Sequence, residues 1–313
     1  MEEAVGIYQP FYKPALIERL DRGFIPLNWL SNPAPAQREL ALHHHVATRK
    51  IYSQHRLTGV LSPKFFAKTG LSSQQVYGWI ADNPGHDIYL ISGEAWFPYA
   101  NYNAIERFNN NYGPAFESRL HFLCDGIGIE LPDVSLRQTV ANSCYCNYWV
   151  ASAAFWEHWS RNVVAPLVEM IRRHQEADEF LAYGKYPAAT PTYKLTFIYE
   201  ALVSHYILHN RIDSLYYPWN AQSILSLSYD PTIRAHLEEM IPLVDRIDKG
   251  GRWSDQQRAW LRDRYAAVRL VWSAKERLSA DPADFDLPSR YPNMSRSPAA
   301  GAFSSFENVS RAV

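Results

Sequence analysis

The feature that most constrains this chain is the alternation, over its first 91 residues, of short apolar runs with helix-forming stretches. Val5-Gly6-Ile7-Tyr8 reads as a strand that Gln9-Pro10 should close, because proline cannot donate to a ladder. Pro14 suits the first turn of a short helix over 15–20, and 24–27 reads as a second extended piece, followed by a loop from Ser31 to Pro35. Residues 37–55 contain neither glycine nor proline and predict a helix. Gly59-Val60-Leu61 then reads as a buried strand broken by Ser62-Pro63. Ser72 with Gln75 three residues on forms a capping box, so a helix is expected over 73–81, stopped by Asn83-Pro84-Gly85. Asp87 to Ile91 is a further strand. Strands separated by helices imply an α/β fold around a small central sheet.

The second half turns helical. Helices are expected over 100–112 and 117–124, then a strand over 145–150 and a long helix from about Ser152. Phe155, Trp159, Val163, Leu167 and Met170 fall close to helical spacing on it, and Pro166 should kink it. Another helix spans 193–209, with Leu195, Ile198, Leu202 and Tyr206 along one stripe. Two more run over 231–247 and 254–278, the second opened by a Ser254/Gln257 capping box. From about Ala280 the composition predicts a flexible tail. The expected organisation is a domain over 1–220, a helical C-terminal extension over 221–280 and a tail over 281–313, without internal repeats.

A net charge of −1 gives no electrostatic footprint for nucleic acid. Three cysteines, Cys124, Cys144 and Cys146, suit neither a disulfide framework nor a zinc site. The N-terminus lacks the basic and apolar regions of a signal peptide, and no run reaches the roughly 18 apolar residues of a membrane span. A cytoplasmic protein is the expectation, with peripheral membrane association left open. The 20 tyrosines and 10 tryptophans can fill a core or stack on sugars and bases, and residue type alone favours the core.

His43-His44-His45 suggests a metal, yet adjacent helical side chains diverge by about 100° and cannot converge on one ion. Cys144 and Cys146 would share one face of a strand and read as small buried groups. No phosphate-binding glycine loop, nucleophile elbow or zinc-protease helix is present. Glu94 and Asp87 are close enough in sequence to raise a glycoside hydrolase, though nothing pairs them.

The most informative stretch is Arg49 through Phe65, taken with the first strand. A strand, a helix carrying Arg49 and an apolar strand running into Ser62-Pro63-Lys64 resemble the nucleotide-sugar half of a GT-A, Rossmann-like glycosyltransferase fold. Ordered phrases extend the resemblance to an uncharacterised bacterial family associated with polysaccharide biosynthesis, capsule or O-antigen. They are the first strand with Gln9, Gly23 to Leu27, Gly59 to Phe65, Thr69 to Ser72, Asp87 to Leu90, Asn147 to Ala151, Phe155-Trp156, and Lys194 with Glu200. The match covers roughly residues 5–210.

That resemblance implies transfer of a sugar from a nucleotide-diphosphate donor to a glycan acceptor, with no resident cofactor. It implies nucleotide and diphosphate contacts by Tyr8, Gln9, Arg49 and Lys64, and sugar or acceptor contacts by Asn147, Tyr148 and Lys194. The base would be Glu200 or Asp87. Where the resembling fold carries a cation-holding Asp-X-Asp pair, this chain reads Ser62-Pro63-Lys64, so Lys64 and Arg49 would have to take the phosphate charge and transfer would be metal-independent. The same departure supports the alternative of a catalytically silent carbohydrate-binding or scaffold protein in a polysaccharide assembly system.

Overall fold

The computed structural model describes residues 5–112, 116–130, 133, 135–173, 183–184, 192–193, 195–228 and 230–278. In chain order these form β1 (Val5–Phe11), β2 (Ile25–Asn28), α1 (Glu39–Thr48), β3 (Leu57–Val60), α2 (Phe65–Thr69), α3 (Ser73–Asp82), β4 (Ile88–Leu90), α4 (Ala104–Tyr112) and α5 (Phe116–Ile127). There follow β5 (Trp149–Ser152), α6 (Ala153–Trp159), a π-helical turn (Ser160–Val164), α7 (Ala165–Arg173), the two-residue strands β6 (Tyr183–Gly184) and β7 (Thr192–Tyr193), and α8 (Leu195–His209). Last come β8 (Ser214–Tyr216), α9 (Ala221–Ser226), α10 (Pro231–Lys249) and α11 (Asp255–Leu278).

The six-stranded sheet has the order β2-β1-β3-β5-β4-β8. It is mixed: β1 runs parallel to β2 and β3, and β4 parallel to β8, while β5 is antiparallel to both of its neighbours. Alternation along the strands gives each face its own helices. Tyr89 of β4 packs edge-on against Trp79 of α3, whereas Trp149 of β5 meets His43 of α1 and Trp156 of α6 on the other face. The architecture is α/β and compatible with a Rossmann-like fold.

Several expectations shift in detail. Pro10 does not end the first strand, which continues to Phe11. Residue pairing with β3 stops at Tyr8↔Val60, and period-two alternation aims the Pro10 nitrogen at that vacated side, so no ladder bond is lost. The helix expected over 37–55 is shorter; it ends at Thr48, and Lys50 adopts φ +51° before a single 3-10 turn at Ile51–Ser53. The strand expected over 145–150 begins only at Trp149, because Cys146 and Asn147 take left-handed φ values of +69° and +52°. Cys144 and Cys146 therefore lie in a turn and not on a strand face. The Pro166 kink takes the form of a π-turn just ahead of it, which loosens the backbone where the ring would meet the preceding turn. Both capping boxes form, Ser72 with Gln75 and Ser254 with Gln257.

The aromatic excess goes largely into the core, where Trp149, Trp156 and Tyr199 surround His43 and Trp159 packs on Tyr199. His43 Nδ1 bonds the Tyr199 hydroxyl, and burial pushes the imidazole pKa down to about 3, so the ring is neutral. The three consecutive histidines diverge as helix geometry requires: His45 packs edge-on against Trp29, and His44 lies beside Thr48.

The C-terminal helices share this core, with Leu237, Met240, Val244, Leu261 and Tyr265 in the same apolar cluster. Arg137 ties them down. Its Nε and Nη2 donate to the Asp248 carboxylate at 3.0 and 3.1 Å, Nη1 to the carbonyls of Asn101 and Tyr102, and Nη2 to that of Pro98. Among the described residues no helix is long and apolar enough to cross a membrane. Arg137→Leu would leave the mostly buried Asp248 carboxylate without its counter-charge, with Trp253 Nε1 still donating to it, and would remove a donor from the carbonyls of Pro98 and Asn101; it should lower unfolding free energy by about 3 kcal/mol. Urea denaturation followed by tryptophan fluorescence measures this, and an unchanged midpoint would refute the anchoring role.

Candidate functional site

In an open α/β sheet, ligands are received outside the carboxyl ends of the parallel strands, where successive connections leave a strand in opposite directions. Here that place is the crevice between β1 and β3. Gln9, at 3% exposure, spans it: Nε2 donates to the Ser62 carbonyl and Oε1 accepts from the Asp21 N–H, both at 3.0 Å. Asp21 in turn accepts from the backbone and hydroxyl of Ser73 at the start of α3. Both ends of the Gln9 amide are thus used in bracing the crevice.

Because β5 runs against its neighbours, the turn that leads into it arrives at this same edge. Tyr148 meets Ser62 hydroxyl to hydroxyl at 2.7 Å, linking the loops before β5 and after β3. Ser62 Oγ also accepts from the Lys64 N–H. Lys68 of α2 donates to Cys146 Sγ at 2.9 Å and lies 3.7 Å from Glu94, on the loop after β4. Arg107 of α4 contacts Glu94 at 3.8 Å and Glu200 of α8 at 4.0 Å, its guanidinium lying 3.6 Å over the Phe97 ring. Glu200 Oε1 accepts from the Cys146 N–H at 2.8 Å. Glu39, the first residue of α1, adds a carboxyl whose pKa is raised by burial and by Glu200.

Burial works to lower the Lys68 pKa, but the hydrogen bond to Cys146 Sγ and the carboxylates Glu94 and Glu200 outweigh it and hold the side chain as ammonium. Burial also keeps the Cys146 thiol and Tyr148 phenol protonated. Lys64 differs: burial, then the positive charges of Lys68 and Arg38, bring its pKa down to about 8. An anion arriving between these cations would relieve their repulsion. Seven non-glycine described residues have positive φ, and four of them belong to this crevice: Arg38, Glu94, Cys146 and Asn147. Such conformations cost about 1–3 kcal/mol each and cluster at functional sites.

The residues expected from the sequence separate into two groups. Gln9, Lys64, Asn147, Tyr148 and Glu200 lie in or around the crevice. Asn147 is 2% exposed, and its Oδ1 has no hydrogen-bond partner among the described residues. Tyr8 is turned away, its hydroxyl bonding Gln54 and meeting His55 just ahead of β3. Arg49 caps the far end of α1, about 15 Å of helix rise from Glu39, exposed and outside the crevice. Asp87 precedes β4 and so occupies the opposite edge, where Ser152 Oγ donates to it; it is not beside Glu94. Lys194 lies outside the described residues.

Arg38, Glu39, Lys68, Arg107 and Cys146 enter the site only through the structure, and Glu94, raised from the sequence with Asp87, joins it without that partner. Among the described residues no group of three His, Cys, Asp or Glu could hold a metal ion. No known family, curated protein or solved structure matches the chain.

The Lys64 pKa fixes a pH dependence. Its charged form attracts anions, so affinity for inorganic pyrophosphate should fall as pH rises through about 8, as titration calorimetry would record. Folding shows the reverse sign for this group. The unfolded chain, with its higher lysine pKa, binds more protons between about 8 and 10.5, so the Lys64 contribution to stability rises with pH there. Flat pyrophosphate affinity across pH 7–9 would remove Lys64 from the anion site.

Proposed function

We propose that the protein is a glycosyltransferase of GT-A-like architecture that transfers a sugar from a nucleoside-diphosphate donor to a glycan acceptor in polysaccharide biosynthesis. The observation that carries this reading is the opposition, at the carboxyl edge of the sheet, of Lys64, Lys68 and Arg38 to the carboxylates Glu94 and Glu200. Breakage of the bond from the anomeric carbon to the diphosphate leaves negative charge on the departing phosphate. Preorganised cations in a partly desolvated crevice stabilise it. Lys64 and Lys68 take that task, with Arg38 in the place first expected for Arg49.

The acceptor hydroxyl attacks the anomeric carbon and must lose its proton. Glu200 is the assigned base, with Glu94 beside it and more open to solvent, at 30% side-chain exposure against 19%. Asn147 and Tyr148 border the space for the sugar, where an amide can both give and accept hydrogen bonds to hydroxyls. Ser62-Pro63-Lys64 stands where the resembling fold holds a cation, which supports metal-independent transfer. One observation favours the second reading, a silent carbohydrate-binding or scaffold protein: Arg107 already engages both carboxylates, which weakens either as a base.

Uridine, guanosine or cytidine diphosphate should raise the melting temperature, since a ligand bound only by the folded state stabilises it. Lys64→Ala should weaken that binding about tenfold or more while the unliganded protein melts no lower than before. A scaffold would ignore all three nucleotides. In a transfer assay, EDTA should leave the rate intact; a sharp fall restored by manganese would refute metal independence.

A further inference from the structure

We infer that the protein carries a second ligand site, for a neutral saccharide, in a cleft of about 350 Å³ formed by the end of α5, the α6 helix with its π-turn, and α8. The cleft shares no residue with the crevice at the sheet edge, and its volume falls within the range of small-molecule sites.

Its chemistry is that of hydroxyl recognition. The Tyr206 hydroxyl, at the centre, accepts from Asn162 Nδ2 at 3.1 Å and lies 2.8 Å from His158 Nδ1. This fixes the orientation of the amide and the imidazole. Asn162 Oδ1 and His158 Nε2 have no hydrogen-bond partner among the described residues. Asn210 adds a second amide to the lining. Side-by-side groups that donate and accept match the vicinal hydroxyls of a sugar. Ile129 and Pro166 supply apolar wall for the C–H face of a pyranose.

Charge argues against an ionic ligand. Arg161 pairs with Glu157 at 3.1 Å, His209 meets Glu130 at 3.2 Å and His158 is bonded to the Tyr206 hydroxyl, so no charge of one sign dominates the lining. The π-turn at Ser160–Val164 sets Asn162 at the wall. Single π-turns inside helices recur at functional sites because they redirect side chains that a regular helix would aim elsewhere.

Saturation-transfer NMR on the full chain tests this with glucose, galactose, N-acetylglucosamine and lactose as probes, and glucosamine and glucuronate as charged comparators. At least one neutral saccharide should receive saturation, with affinity reduced about tenfold by Asn162→Ala and signal lost in Asn210→Trp. Asn210 is exposed and its Nδ2 shares the Tyr206 carbonyl with its own backbone N–H, so that variant obstructs the cleft and leaves the carbonyl a donor. Asn162 and Asn210 line the cleft and lie outside the crevice, so loss of the signal in their variants separates the two sites. Absence of any neutral saccharide binding, a preference for the charged comparators, or binding indifferent to both cleft variants would each overturn the inference.

Discussion

The antiparallel insertion of β5 between β3 and β4 is the constraint on which the rest of the structure depends. Its register, Leu57↔Ser152 on one side and Ile88↔Ala151 on the other, makes it begin where its neighbours end. The turn over 144–148 is thereby delivered to the same rim as the loops that follow β3 and β4. Without that reversal Cys146, Asn147 and Tyr148 would emerge at the opposite edge, and Lys68 and Glu200 would have no common partner. The fit is close: a Cβ on Gly93 would fall 2.9 Å from both Cys146 Sγ and the Tyr148 ring, so only glycine lets the two loops approach this far.

Given that rim, the charges follow from electrostatics. An ammonium at the position of Lys68 is costly to desolvate and persists because carboxylates surround it. Those carboxylates are in turn held by Arg107, whose guanidinium stacks on Phe97 and Tyr145. The arrangement is nearly self-neutralising around Lys68 and less so around Lys64, where the cations Lys68 and Arg38 outweigh the carboxyl groups of Glu39 and Glu94. The site therefore has a saturated interior and a mouth that favours negative charge.

How far this could be read from the sequence varies with the range of the interaction. The capping boxes at Ser72 and Ser254 were legible because each needs only four residues. The α/β class was legible from alternation, whereas the left-handed turn at Cys146-Asn147 was not, since neither residue is the glycine that normally marks one. Strand polarity, read strictly, already assigned Asp87 to the far edge, for it comes before its strand and the crevice comes after. The same logic applies to Arg49, because a helix that returns from one parallel strand to the next ends at the opposite rim. Gln9 and Lys64 were recoverable as residues at the ends of strands. Lys68, Arg107 and Glu94 carry no local signal; isolated charges on helices and loops acquire partners only when packing brings the elements together.

The π-turn between α6 and α7 has a consequence for how this layer tolerates change. A widened turn absorbs one surplus residue in an otherwise continuous rod, so the tryptophan-rich segment before it and the segment after it keep the facing of a regular helix one residue shorter. Excising a single residue from 160–164 would regularise the rod and leave that facing in place. Excising one from either flanking segment would instead swing its two sides apart by about 100°. Trp156 and Trp159 would then leave the aromatic core, or Leu167 and Ile171 would leave theirs. In deletions, this short stretch is the most forgiving part of the rod.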